Sequence, residues 1–270
     1  MLNIAFWNLG RRPVQDLLAA LVKQHAIDVL ILAESTAPPS TVLGALNRER
    51  PGYKTRPWNI CTKLSVFTFF HSAFLKPTAE DDRFLICRLL LPARLEILLA
   101  MAHLSSKAYS DEHGQLAECQ LLSWQVSDAE RRAGHNRTIL VGDLNVNPFE
   151  VPVVGAHGLH AVMTKQVARR NTRRVQDREY RFFYNPMWKH FGERVDGPPG
   201  TYYYGSSGYV TYFWNIFDQV LVRPDLIPYF PDQELRILTS IGDFKLVGAN
   251  GQPDRDVGPD HLPMLFKLDI

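Results

Sequence analysis

Polar side chains able to do chemistry stand at the ends of apolar runs, far apart along the chain. The first run stops at Asn8 in FWNLG and the second at Glu34 in VLILAES. A middle run stops at His103 in LLAMAHLSS, and another at Asp143 in ILVGDLNVNPFE, with Asn145 two residues on. Near the C-terminus Asp218 enters a run in NIFDQVLV, and Asp260 and His261 precede the last run in VGPDHLPMLF. Binding and catalytic groups collect on loops at the ends of a rigid scaffold. Brought together, these carboxylates, imidazoles and amides form a hard, oxygen-rich set that suits Mg²⁺ or Mn²⁺ and not a structural zinc. Carboxylates beside a phosphodiester would repel it, and a divalent cation removes that repulsion while stabilising charge in the transition state. Singly, each residue also has an ordinary reading: Glu34 as a surface charge, Asn8 as a turn former before Gly10, Asp143 as an Asx turn near Pro148, a histidine as a satisfied strand end. Their joint order is what points to a site.

These positions need a scaffold that brings distant strand ends to one rim. Apolar runs of about four to eight residues suit buried strands. They are Leu2 to Trp7, Val29 to Ala33, Leu64 to Phe70, Phe84 to Leu91, Leu95 to Ala102, Thr138 to Val141, Tyr212 to Phe217, Gln219 to Val222, Leu235 to Thr239 and Pro263 to Leu268. A 3.6-residue stripe over Val14 to His25, opened by Pro13, predicts a helix, as does Glu112 to Arg132; Thr41 to Arg50 is weaker. The order is neither strict βαβ alternation nor all β, and it predicts sheets packed on each other with helices outside. The stretch from Lys165 to Tyr203 shows little periodicity and is read as a long excursion.

The segments WN, Glu after an apolar strand, HL, GDLN, FDQVLV and PDHLP, in this order from Asn8 to His261, resemble the endonuclease/exonuclease/phosphatase superfamily. GDLN and DH-x-P are its specific pieces. The resemblance implies an α/β fold like that of DNase I: a four-layered sandwich of two packed mixed, mainly antiparallel sheets flanked by helices. With no internal repeat or low-complexity linker, one such domain over residues 1–270 is expected, with a basic and aromatic insertion at about 165–204. The resemblance also implies that Glu34, with Asn8 and Asp260, holds Mg²⁺ or Mn²⁺. Asp143 would activate or orient the attacking water beside Asn145, Asp218 would orient His261, and His261 and His103 would contact the scissile phosphate. An imidazolium at His261 can balance charge in a phosphorane-like transition state. The sequence departs from the family pattern at Pro259, where Ser is common, at Ala33, where Gln is common, and at Leu9-Gly10, where an acidic residue sometimes follows.

The substrate is read from the basic segment KQVARRNTRRVQDREYR, where Arg169, Arg170, Arg173 and Arg174 lead a run of guanidinium groups followed by aromatics. Guanidinium groups suit phosphates and aromatic faces stack on bases. Arg11 and Arg12, just past Asn8, add further candidate substrate contacts. The expected activity is therefore metal-assisted hydrolysis of a phosphodiester by a nuclease, on DNA before RNA. The alternatives are a phosphatase or phosphodiesterase on a small or lipid-headgroup phosphoester, and an inactive interaction module. Composition sets few further limits. A hydrophobic fraction of 46% over 270 residues supports a sizeable core, while a net charge of +2 is too mild to prove a polyanion partner. Three cysteines without a C-x-x-C pair argue against a disulfide framework or thiolate zinc site. No apolar run is long enough to span a bilayer and no leader is apparent, so a cytoplasmic protein without an integral membrane segment is expected.

Overall fold

The computed structural model describes residues 1–193 and 197–270. Two large sheets form its centre. The first contains β1 (Leu2–Asn8), β2 (Val29–Ala33), β3 (Lys54–Thr55) and β4 (Leu64–Thr68), joined from the C-terminal end by β16 (Arg236–Ile237) and β19 (Met264–Leu268). Its order is β16-β19-β1-β2-β4-β3, antiparallel except for β1 beside β2. The second contains β5 (Leu75–Glu80), β6 (Phe84–Leu89), β7 (Ile97–His103), β8 (Thr138–Asp143), β9 (Ala161–Val162), β12 (Phe183–Tyr184) and β15 (Asp218–Val222). Its order is β5-β6-β7-β8-β15-β12-β9, with β7–β8 and β9–β12 parallel. Three two-stranded ribbons complete the strands: β10 (Thr172–Val175) with β11 (Arg178–Arg181), β13 (Tyr202–Tyr204) with β14 (Phe213–Asn215), and β17 (Ser240–Ile241) with β18 (Phe244–Lys245).

Burial on both faces explains why the runs read as almost continuously apolar. Along β1, Leu2, Ile4 and Phe6 point between the sheets, while Ala5 and Trp7 meet α1 (Gln15–His25) and α2 (Pro39–Glu49). Along β7, Ile97, Leu99 and Met101 face the centre, while Leu98, Ala100 and Ala102 meet α3 (Glu112–Ala133) and the short α4 (Val151–Val154). The expected four-layered sandwich, helix–sheet–sheet–helix, is thus what these side chains build. Asp111 caps α3 by accepting from the Gly114 amide, and Gly134 ends it in the left-handed region. Among the described residues no helix is long and apolar enough to cross a membrane. Cys61, Cys87 and Cys119 are buried free thiols, and burial pushes each thiol up, so none offers a ready thiolate.

The Lys165 to Tyr203 stretch departs from its expected irregularity. It holds α5 (Lys165–Ala168), the β10–β11 ribbon and β12, which enters the second sheet between β15 and β9. The ribbon's strands read TRRV and REYR, with no alternation of apolar and polar residues to mark them. Residues 194–196 of the predicted insertion lie outside the described residues.

Gly142, in the GDLN segment, shows how tightly β8 is seated. A Cβ there would stand 1.9 Å from the Ala102 carbonyl oxygen on β7. Backbone cannot retreat cheaply inside a parallel pair, and overpacking a core costs about 1–3 kcal/mol. Gly142→Ala is therefore expected to lower the melting temperature by several degrees. An unchanged melting curve by circular dichroism would contradict this seating.

Candidate active site

Strand direction brings the polar residues to one rim. β1 and β2 run parallel with Asn8 opposite Ala33, so Asn8 and Glu34 leave the first sheet at the same end. β7 and β8 run parallel with His103 opposite Asp143. β15 runs against β8 with Asp218 opposite Asp143, so Asp143 lies between His103 and Asp218 in the second sheet. Asp260 and His261 enter from the loop before β19, beside β1. Eight residues from six chain segments line or border one cavity of about 780 Å³.

Hydrogen bonds fix their orientation. Asn8 Nδ2 donates to Asp143 Oδ2 at 2.8 Å, bridging the two sheets, and Asn8 Oδ1 accepts from the Gly10 amide at 3.0 Å. Asp143 Oδ1 accepts from the Asn145 amide at 2.9 Å, and Asn145 Nδ2 donates to the Leu104 carbonyl at 3.0 Å. His261 Nδ1 lies 2.8 Å from Asp218 Oδ2, and its Nε2 faces Asp143 Oδ2 at 4.0 Å. Trp7 Nε1 donates to the His261 carbonyl, and the Tyr202 ring lies 4.5 Å from the imidazole. His103 Nε2 stands 3.4 Å from Glu34 Oε1 and 3.9 Å from Asp143 Oδ2.

Backbone conformation singles out the same rim. Arg11, Glu34 and Asn145 all have positive φ, at 63°, 49° and 54°. For non-glycine residues this is uncommon, and such strain persists where the surroundings hold it. Gly10, at φ 51°, could not carry a side chain without crowding Asp260, whose Oδ1 would lie 3.1 Å from the added Cβ.

The electrostatics divide these groups into roles. His103, the largest influence, holds the Glu34 carboxyl below its usual range against desolvation, with Asn8 and His261 helping. Burial, and then the like charge of Asp218, push the Asp143 carboxyl up. Burial alone would lower His261, but Asp218, Asp143 and Asp260 outweigh it and raise the imidazole to about 9. One oxygen or nitrogen from each of Asp143, Asp218 and His261 lies within 4.8 Å of the others, as in a metal cage. His261 Nδ1 is already engaged by Asp218 Oδ2 at 2.8 Å, an arrangement that suits a proton-holding pair. Glu34, Asn8 and Asp260 remain as oxygen donors at the open side.

The structure brings together Asn8, Glu34, His103, Asp143, Asn145, Asp218, Asp260 and His261. Arg11 reaches the rim, its Nε 3.6 Å from Glu34 Oε2. Arg12 turns away: its Nη1 donates to the Gly258 carbonyl at 2.8 Å and braces the loop that carries Asp260. Arg169, Arg170, Arg173 and Arg174 are not brought to this rim. Their segment joins the second sheet where Tyr184 pairs with Val222, at the opposite end of β15 from Asp218. The chain-order proximity of basic and aromatic residues therefore misleads: the aromatics at the site are Tyr202 and Tyr204 of β13, with Tyr212 and Phe217 on either side of β14. Sequence reasoning also missed Asn147, fully buried, which donates to Asn215 Oδ1 and accepts from the Ile216 amide. Its signal was present in the Asn-Val-Asn spacing after Asp143.

Comparison with known proteins agrees with this fold. Residues 3–235 match the model of the Endonuclease/Exonuclease/phosphatase family. No curated protein matches the sequence. Among solved structures, an AP endonuclease from Archaeoglobus fulgidus is 13% identical with TM-score 0.57, and the match covers all of both chains. TDP2 from D. rerio, complexed with a single-strand DNA product, is 15% identical with TM-score 0.58, covering 100% of this chain and 99% of that one. An endonuclease/exonuclease/phosphatase family protein from Bacteroides thetaiotaomicron is 14% identical with TM-score 0.59, covering 99% and 97%. These likenesses show the fold, and the family model, which spans most of the sequence, shows the kinship: the chain belongs to the endonuclease/exonuclease/phosphatase family.

Proposed function

We propose that this chain is a divalent-cation-dependent phosphodiesterase acting on nucleic acid, on DNA before RNA. The observation that carries the reading is the 2.8 Å Asp218–His261 pair facing the buried Asp143, with Glu34 and Asp260 on the same cavity. The donor set fits a hard cation. Glu34 and Asp260 offer carboxylates and Asn8 an amide oxygen to one cavity, with no sulfur donor among them. Glu34, Asn8 and Asp260 would hold Mg²⁺ or Mn²⁺. Bound there, the ion would neutralise the phosphate and act as a Lewis acid.

The chain's own residues supply the rest. Asp143, raised by burial and fixed by Asn8 and the Asn145 amide, is placed to orient a water and accept its proton. His261, kept charged by Asp218, donates from Nε2 to the phosphoryl oxygens as negative charge builds. His103, at the other side of Asp143, adds a second donor. Tyr202, Tyr204 and Tyr212 line the cavity beside His261, and such rings stack on unpaired bases. The AP endonuclease and the DNA-bound TDP2 among the structural neighbours support a nucleic-acid substrate.

The test incubates purified protein with plasmid, linear and single-stranded DNA, RNA and phosphoinositides, with Mg²⁺, Mn²⁺ or EDTA. EDTA is expected to abolish DNA cleavage and added Mg²⁺ or Mn²⁺ to restore it. Glu34→Gln is expected to lower cleavage at least about 100-fold at limiting metal, with partial recovery at high metal. Cleavage that persists in EDTA sinks the cation role, and hydrolysis confined to phosphoinositides replaces the substrate reading with the lipid-headgroup one.

A further inference from the structure

The β10–β11 ribbon carries charge that the reacting centre does not use. Arg169, Arg170, Arg173, Arg174, Arg178 and Arg181 are all exposed. Among the described residues only Arg174 of these has a carboxylate within ion-pair distance, Asp177 at 3.3 Å. Residues 165–181 hold seven basic and two acidic side chains in a chain of net charge +2, so the remainder is net acidic. Positive potential is therefore concentrated on one projection. That projection leaves the sheet beyond Val222, five residues along β15 and its continuation from Asp218 to Arg223. At about 3.3 Å per residue this is roughly 16 Å from the site end of the strand.

The base of the ribbon is braced. Arg223 Nη1 donates to the carbonyls of Arg181 and Phe182 at 3.0 and 3.1 Å. The Phe182 ring stacks 4.2 Å from His160, and the Tyr180 hydroxyl lies 3.2 Å from His157 Nδ1. The four-residue strands meet in a tight Gln176-Asp177 turn. That tip presents polar side chains, so it offers nothing to insert into a bilayer. Guanidinium forks match phosphate oxygens, and a two-stranded ribbon is of a width that the major groove of B-form DNA admits. The deep, narrow major groove of A-form RNA excludes it.

We propose that the β10–β11 ribbon is a second, non-catalytic anchoring site for double-stranded DNA, gripping phosphates away from the point of hydrolysis. This rests on the nucleic-acid reading above and adds to it where the substrate is held. Binding is measured by fluorescence anisotropy with a 30-base-pair DNA duplex in EDTA, across a salt series. The combined variant Arg173→Gln, Arg174→Gln, Arg178→Gln and Arg181→Gln is expected to bind about 10- to 100-fold more weakly. Its slope of log affinity against log salt is expected to fall by about 3 to 4, as for the loss of that many phosphate contacts. The same four positions changed to Lys are expected to keep the slope, which separates lost charge from lost fold. Unchanged affinity and slope in the folded Gln variant overturns the proposal, as does tighter wild-type binding to an RNA duplex or to phosphatidylserine vesicles than to the DNA. Because no chemistry occurs in EDTA, the hydrolase reading stands or falls separately, on hydrolysis of bis(p-nitrophenyl) phosphate with Mg²⁺.

Discussion

Asp218→Asn lowers kcat for phosphodiester hydrolysis by about three to four orders of magnitude and moves KM far less, if the Asp218–His261 pair works as its geometry indicates. Asp218 is 1% exposed and its Oδ2 lies 2.8 Å from His261 Nδ1. Asparagine keeps the shape and can still accept from the ring, but it removes the charge that most favours the imidazolium. The sign in pH follows. Activity that needs His261 charged is full below its pKa and is lost as pH rises through about 9. Without the carboxylate, burial is opposed chiefly by Asp143 and Asp260, so the alkaline limb moves to lower pH. The kcat/KM profile of wild type and variant, taken from pH 5 to 10 at saturating Mg²⁺, reads this directly. A limb that does not move, with a rate within tenfold of wild type, would show that Asp218 merely packs beneath the ring.

The two residues were legible in sequence because β15 opens on Asp218 and His261 precedes β19, where apolar runs begin, and their pairing was implied by the family resemblance. What sequence could not show was register. Asp143 faces both His103 and Asp218 because β8 pairs with β7 on one side and β15 on the other. The layering was equally legible, since runs buried on both faces admit little but stacked sheets. The strands that went unseen are those whose burial does not come from their own pattern. β5 reads LKPTAE and is held as an edge by β6, and β12 is two residues long, fastened by β15 and β9. The arginine segment illustrates the opposite failure. Its chemistry was plain and its place was not, because a two-residue strand between β15 and β9 decides which end of the molecule it joins. Arg12, adjacent to a site residue, was in turn spent on a backbone carbonyl that only tertiary structure could reveal.

Arg223→Met is expected to destabilise the protein by about 3–5 kcal/mol, the cost of leaving a buried ionic partner uncompensated. Arg223 and Glu130 are each 2% exposed, with Nε to Oε1 at 2.8 Å. Glu130 Oε1 also accepts from the Thr138 hydroxyl at 2.7 Å, and the guanidinium lies 3.8 Å from the Phe183 ring centroid. The network thus ties α3 to the start of β8, the end of β15 and the base of the β10–β11 ribbon. Glu130→Leu strands the guanidinium and should cost a similar amount. The double variant removes both charges and is expected to be less destabilised than the sum of the singles by about 1–3 kcal/mol. It does not return to wild type, because the Arg181 and Phe182 carbonyls and the Thr138 hydroxyl lose their partners. Urea denaturation of the four proteins gives this cycle. Hydrogen exchange adds location: amides of residues 178–183 should lose protection first in Arg223→Met, while those around Asp143 hold. Additive single effects would break the account, because they would mean that the two charges do not stabilise each other inside the protein. Uniform loss of protection would break it in a different way, by showing that Arg223 does not brace the ribbon's base locally.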